Sequence, residues 1–115
     1  MRYIFLAIIA LNLAFGVSGK KVFETYCWGC HHQSAVAFGP PFTEIASKRN
    51  AQEIRAMIAD PKEVSKIFGY KRNAMPPFTL KEEELVAITN YILSFKPKNS
   101  VKENNATQNN NSKSK

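Results

Sequence analysis

Apolar and polar positions alternate along this 115-residue chain in a way that predicts helices separated by stiff, aperiodic loops. From near Lys20, Val22, Phe23 and Tyr26 are spaced as the apolar stripe of a first helix. His32 to Phe38 has no period and reads as loop, followed by Gly39-Pro40-Pro41-Phe42, where consecutive prolines stiffen the backbone. A short helix is predicted from Thr43 to about Lys48 and another from Asn50 or Ala51 to Ala59. In the latter, Ile54, Met57 and Ile58 share a face while Gln52, Glu53 and Arg55 point outwards. Asp60-Pro61 ends it, and Pro61 suits the first position of a short third helix. Gly69 to Phe78 is again aperiodic, with Met75 followed by Pro76-Pro77. In the last helix Leu85, Ile88, Ile92 and Phe95 recur at three- and four-residue steps, and Lys96-Pro97 closes it. Thr79-Leu80-Lys81-Glu82 has the form of a capping box at its start, and Glu82, Glu83 and Glu84 suit the positive end of the helix dipole. No strand pattern interrupts this series, so the expected class is all-α.

The two ends differ from the middle. Arg2, the apolar run Tyr3 to Leu11 and the small-x-small pattern Gly16-Val17-Ser18 have the form of a secretory signal over residues 1–18, with Val17-Ser18-Gly19 as a near alternative. The apolar run to Val17, broken by Asn12, is short for a membrane span, which makes an uncleaved anchor the lesser reading. No cysteine near the cleavage region offers a lipid attachment point. Beyond Pro97, Asn, Ser, Lys and Gln dominate, so residues 98–115 are expected to be a disordered tail. The single domain, 19–97, is then about 78 residues long, a size at which a core usually needs a staple. The chain is 44% hydrophobic with a net charge of +7, globular in character but basic.

Cys27-Trp28-Gly29-Cys30-His31 carries the chemistry. Two thiols one helical turn apart can each form a thioether to the same porphyrin edge, and the adjoining histidine can reach the iron, which is the pattern of c-type haem attachment. A thioredoxin-like redox pair needs a strand-helix alternation that is missing here. A zinc site needs a second ligand pair, and these are the only two cysteines. A structural disulfide would leave His31 unexplained. Covalent haem also supplies the staple, and export agrees with thiols kept as thioethers in an oxidising compartment.

Three candidates present themselves for the sixth position of the iron. Met75 lies in a proline-stiffened loop where a thioether can be offered to a metal. Met57 sits on an apolar helix face, where methionine more often fills a core. His32 is the third, and an open or water-bound site is the remaining alternative. His32 adjoins His31 too closely to reach the opposite side of the ring. Met75 is the preferred candidate, and His31 with Met75 the preferred pair of iron ligands.

With these residues in view, the chain resembles the small bacterial class I cytochromes c, exported monohaem electron carriers, over about Gly19 to Phe95. The resemblance rests on Cys27-Trp28-Gly29-Cys30-His31, Gly39-Pro40, Ala74-Met75-Pro76-Pro77 and Tyr91-Ile92-Leu93-Ser94-Phe95. It implies an all-α cytochrome c fold whose terminal helices cross over one covalently bound haem c. It implies that Gly19, Phe23 and Tyr91 make the crossing, and that the Pro40 carbonyl holds the far nitrogen of His31. Between Phe42 and Tyr70 no family motif is found, leaving Trp28, Arg55, Lys71 and Arg72 as weak candidates for the haem propionates.

The function implied is periplasmic transfer of single electrons between respiratory redox partners, without enzymatic turnover, by a monomer. Lys20, Lys21, Lys71 and Arg72 would steer it to acidic docking patches on membrane or periplasmic redox proteins. Nucleic acid does not fit an exported haem domain. Two alternatives stay open: a haem-bearing subunit of a larger oxidase or dehydrogenase complex, and a haem sensor or enzyme with an open iron site.

Overall fold

The computed structural model describes residues 16–98. Residues 1–15 of the expected signal and 99–115 of the expected tail lie outside the described residues. Helix α1 (Gly19–Val22) runs directly into a wider turn, Phe23–Cys27. It is followed by α2 (Phe42–Lys48), α3 (Ala51–Ala59), α4 (Pro61–Ile67) and α5 (Glu82–Leu93). The described residues contain helices and loops and no strand.

Helices α1, α3 and α4 each start on a local side-chain cap. Ser18 caps α1, its hydroxyl accepting from the Lys21 N–H at 3.4 Å. Asn50 and Glu53 form a reciprocal capping box on α3, with the Asn50 side chain bonded to the Glu53 N–H at 2.9 Å and the Glu53 carboxylate to the Asn50 N–H at 3.1 Å. Asp60 caps α4, and Pro61 occupies its first turn, where an absent N–H costs nothing. The capping box expected at Thr79 does not form. Helix α5 begins at Glu82 after extended Lys81 and has no side-chain cap. Three glutamates in its first turn favour the helix dipole instead.

The apolar stripe of the first helix also differs from expectation. Trp28 N–H bonds to the Phe23 carbonyl at 2.9 Å, five residues back. A turn with one extra residue rotates everything after it. Val22 and Phe23, before the rotation takes effect, are buried; Tyr26 is exposed and Cys27 half-buried against the core.

The terminal helices cross. The α-carbon of Gly19 sits so close to α5 that a side chain there would meet the Ala87 carbonyl and Tyr91 Cβ. Phe23 packs on Tyr91 at 5.8 Å between ring centroids and edge-on to Phe42 at 5.1 Å. Phe42 in turn meets Tyr91 and Phe95, so an aromatic cluster fills the junction of α1, α2 and α5. Such pairs contribute about 0.5–1.5 kcal/mol each beyond the area they bury. Ile54 and Ile58 of α3 and Ile88 and Ile92 of α5 complete the core. Of the α3 residues expected to face outwards, Gln52 is exposed, while Glu53 and Arg55 are half-buried.

Candidate functional site

Cys27 ends the widened turn, and its carbonyl accepts from the Cys30 N–H at 3.1 Å and the His31 N–H at 2.9 Å. One helical turn thus carries both cysteines, and no disulfide joins them. Cys30 is exposed and Cys27 half-buried. Burial, and to a lesser degree the neighbouring Cys30, pushes the Cys27 thiol up to about 11.

His31 is held on three sides. Its Nδ1 lies 2.8 Å from the Pro40 carbonyl oxygen. A carbonyl can only accept, so this bond places the proton on Nδ1 and leaves Nε2 with its lone pair. Phe42 stacks on one side of the ring at 5.8 Å between centroids. Gly39 lies against the ring so closely that an added Cβ would be 2.6 Å from Cε1. Backbone bonds from Gly39 N–H to the Cys30 carbonyl, Phe42 N–H to His32 and Thr43 N–H to Gln33 tie this loop to the start of α2. Phe42 and Gly39 were not recognisable as supports of the imidazole from the linear order, since neither role has a spacing signal.

Gly39→Ala is expected to displace the imidazole or the backbone beneath it, destabilising the protein by about 1–3 kcal/mol. Urea unfolding checks the stability loss. A wild-type unfolding midpoint and an unaltered haem spectrum would count against the close packing.

His32 turns elsewhere. Its Nδ1 accepts from the Ser34 and Ala35 N–H groups at 3.1 and 2.9 Å, making it the anchor of a local turn. Met75 is half-buried and packs, like Cys27, against the central core. Met57 is half-buried on α3 beside buried Ile58. Tyr26 meets Phe78, three residues past Met75, edge-on at 6.0 Å. The Glu84 carboxylate beside the Tyr26 hydroxyl raises that phenol above its ordinary value of 10.0. The Phe78 N–H also bonds to the Ile58 carbonyl at 2.9 Å. The Met75 loop is thereby fastened at Phe78 to the widened turn and to α3.

The family model for cytochrome c matches residues 17–96. The chain belongs to the cytochrome c family. A cytochrome c from Rhodothermus marinus has the same fold, with a TM-score of 0.56 at 24% identity, over 67% of this chain and 72% of that one. No curated protein matches the chain. For a cytochrome c, the cofactor is a covalently bound haem c, and the residues present fit it. Two cysteines one turn apart adjoin an imidazole whose outer nitrogen is already committed to Pro40. Among the propionate candidates, Trp28, Lys71 and Arg72 are exposed. Arg55 instead has a buried Nε with no hydrogen-bond partner, while its Nη1 reaches Glu82 at 3.6 Å. An unspent buried donor suits a carboxylate. As a cytochrome c, the chain serves haem-based electron transfer.

Proposed function

We propose that the chain is a periplasmic carrier that passes single electrons between respiratory redox proteins, with His31 and Met75 as the axial ligands of its haem. The observation that most supports this reading is the His31 Nδ1 bond to Pro40, which orients Nε2 and raises its basicity as a ligand. Bound haem c supplies a one-electron ferric/ferrous couple. Cys27 and Cys30 would hold the porphyrin through thioethers. Met75 would offer a neutral sulfur from a loop whose fastening at Phe78 does not depend on oxidation state. Two ligands from rigid segments leave little room for reorganisation, and a thioether favours the ferrous form, so the midpoint should be positive. Electrochemistry of the holoprotein tests this. A midpoint well below zero, or carbon monoxide binding by the native ferrous protein, would contradict the His/Met assignment.

Lys20, Lys21, Lys71 and Arg72 are exposed. They would steer the carrier to acidic partners, so reduction by a physiological donor should slow as ionic strength rises. A salt-independent rate removes the steering.

Export through a cleaved leader belongs to the same proposal. Among the described residues no helix is long and apolar enough to cross a membrane. Intact-mass measurement of the mature protein is expected to find Gly19 first; a chain that keeps residues 1–18 would refute the cleaved leader.

A further inference from the structure

We propose that Asn73 is a positioning residue for the Met75 thioether, an inference that rests on Met75 being the sixth ligand. Met75 lies in the segment between α4 and α5, which has no regular structure to fix the direction of a side chain. Yet both polar backbone groups of Met75 are taken by one neighbour. Its N–H donates to Asn73 Oδ1 at 3.3 Å, and its carbonyl accepts from Asn73 Nδ2 at 3.2 Å. A carboxamide is suited to this because it carries an acceptor and a donor on one carbon; aspartate could only accept.

On the other side of Met75, Pro76 and Pro77 restrict the backbone, and Phe78 is bonded to the Ile58 carbonyl. The methionine backbone is thus bracketed before and after, so less backbone freedom remains to be lost when its sulfur binds the iron. Asn73 and its bonds are exposed, so water competes with them and the effect is moderate. Loss of both is expected to weaken the hold on Met75 by about tenfold.

The test is displacement of the sixth ligand from the ferric holoprotein by imidazole, followed as loss of the sulfur-to-iron charge-transfer band. N73A should bind imidazole about tenfold more tightly than the wild type, because a less favoured native ligand competes less. N73D, which keeps the acceptor and loses the donor, should fall between them. Urea unfolding of the same proteins separates positioning from bulk stability. A lower unfolding midpoint for N73A with unchanged imidazole affinity would reduce Asn73 to a turn-former and overturn the proposal. A wild-type protein lacking the charge-transfer band would instead overturn the Met75 ligation, and the role of Asn73 with it.

Discussion

Gly19→Ala is expected to destabilise the protein by about 3 kcal/mol, near the upper end for overpacking at a tight contact. The new methyl would fall on the Ala87 carbonyl and within 2.5 Å of Tyr91 Cβ. Neither obstacle is the loose end of a flexible side chain. Ala87 contributes backbone from the middle of α5, and Tyr91 is pinned between Phe23, Phe42 and Phe95. Relief requires α1 to lift off α5, which would also open the contact between Phe23 and Tyr91. A few kcal/mol is a large share of the stability of a small domain. Urea unfolding of the holoprotein measures it against the wild type. A wild-type midpoint would show that the helices do not meet as closely as described.

Met75→Ala is expected to give the largest change in iron chemistry. If Met75 supplies the sixth ligand, the variant should lose the sulfur-to-iron band, bind carbon monoxide when ferrous, and have a lower midpoint potential. The half-buried side chain also contributes packing, so some stability should be lost, less than the 2–5 kcal/mol of a fully buried methionine. Met57→Ala separates the two roles. It should lower stability while leaving the band and the carbon monoxide response of the wild type unchanged. A spectral change in Met57→Ala with none in Met75→Ala would transfer the ligand assignment to α3.

The helices and their order could be read from residue spacing because each is a local matter. Asp60-Pro61 marks the boundary of α3 and α4 through proline's missing N–H. Ile54 and Ile58, or Ile88 and Ile92, fall on one face by helical geometry alone. Local rules failed where a neighbouring segment set the outcome. Thr79-Leu80-Lys81-Glu82 has the form of a capping box, but the chain arrives at α5 extended after the Phe78 contacts, and the helix starts at Glu82 without using it. Asn50-Ala51-Gln52-Glu53 carries the same kind of signal and does form the box. The wide turn at Phe23–Cys27 leaves no spacing mark, since Val22, Phe23 and Tyr26 satisfy an ordinary stripe equally well. It is tertiary packing that turns Cys27 inwards and Tyr26 out.

The sequence by itself determined the attachment chemistry of this cytochrome c, because Cys27, Cys30 and His31 lie within one turn and their reach depends on covalent geometry alone. The tertiary structure decided how the imidazole is held and how the methionine loop is fastened. The Pro40 bond that selects the His31 tautomer, the Gly39 and Phe42 contacts beside the ring, and the joining of Tyr26 to Phe78 all bring together residues that no backbone period places side by side. Contacts of that kind arise only when the helices pack, because their partners are chosen by shared burial rather than by distance along the chain.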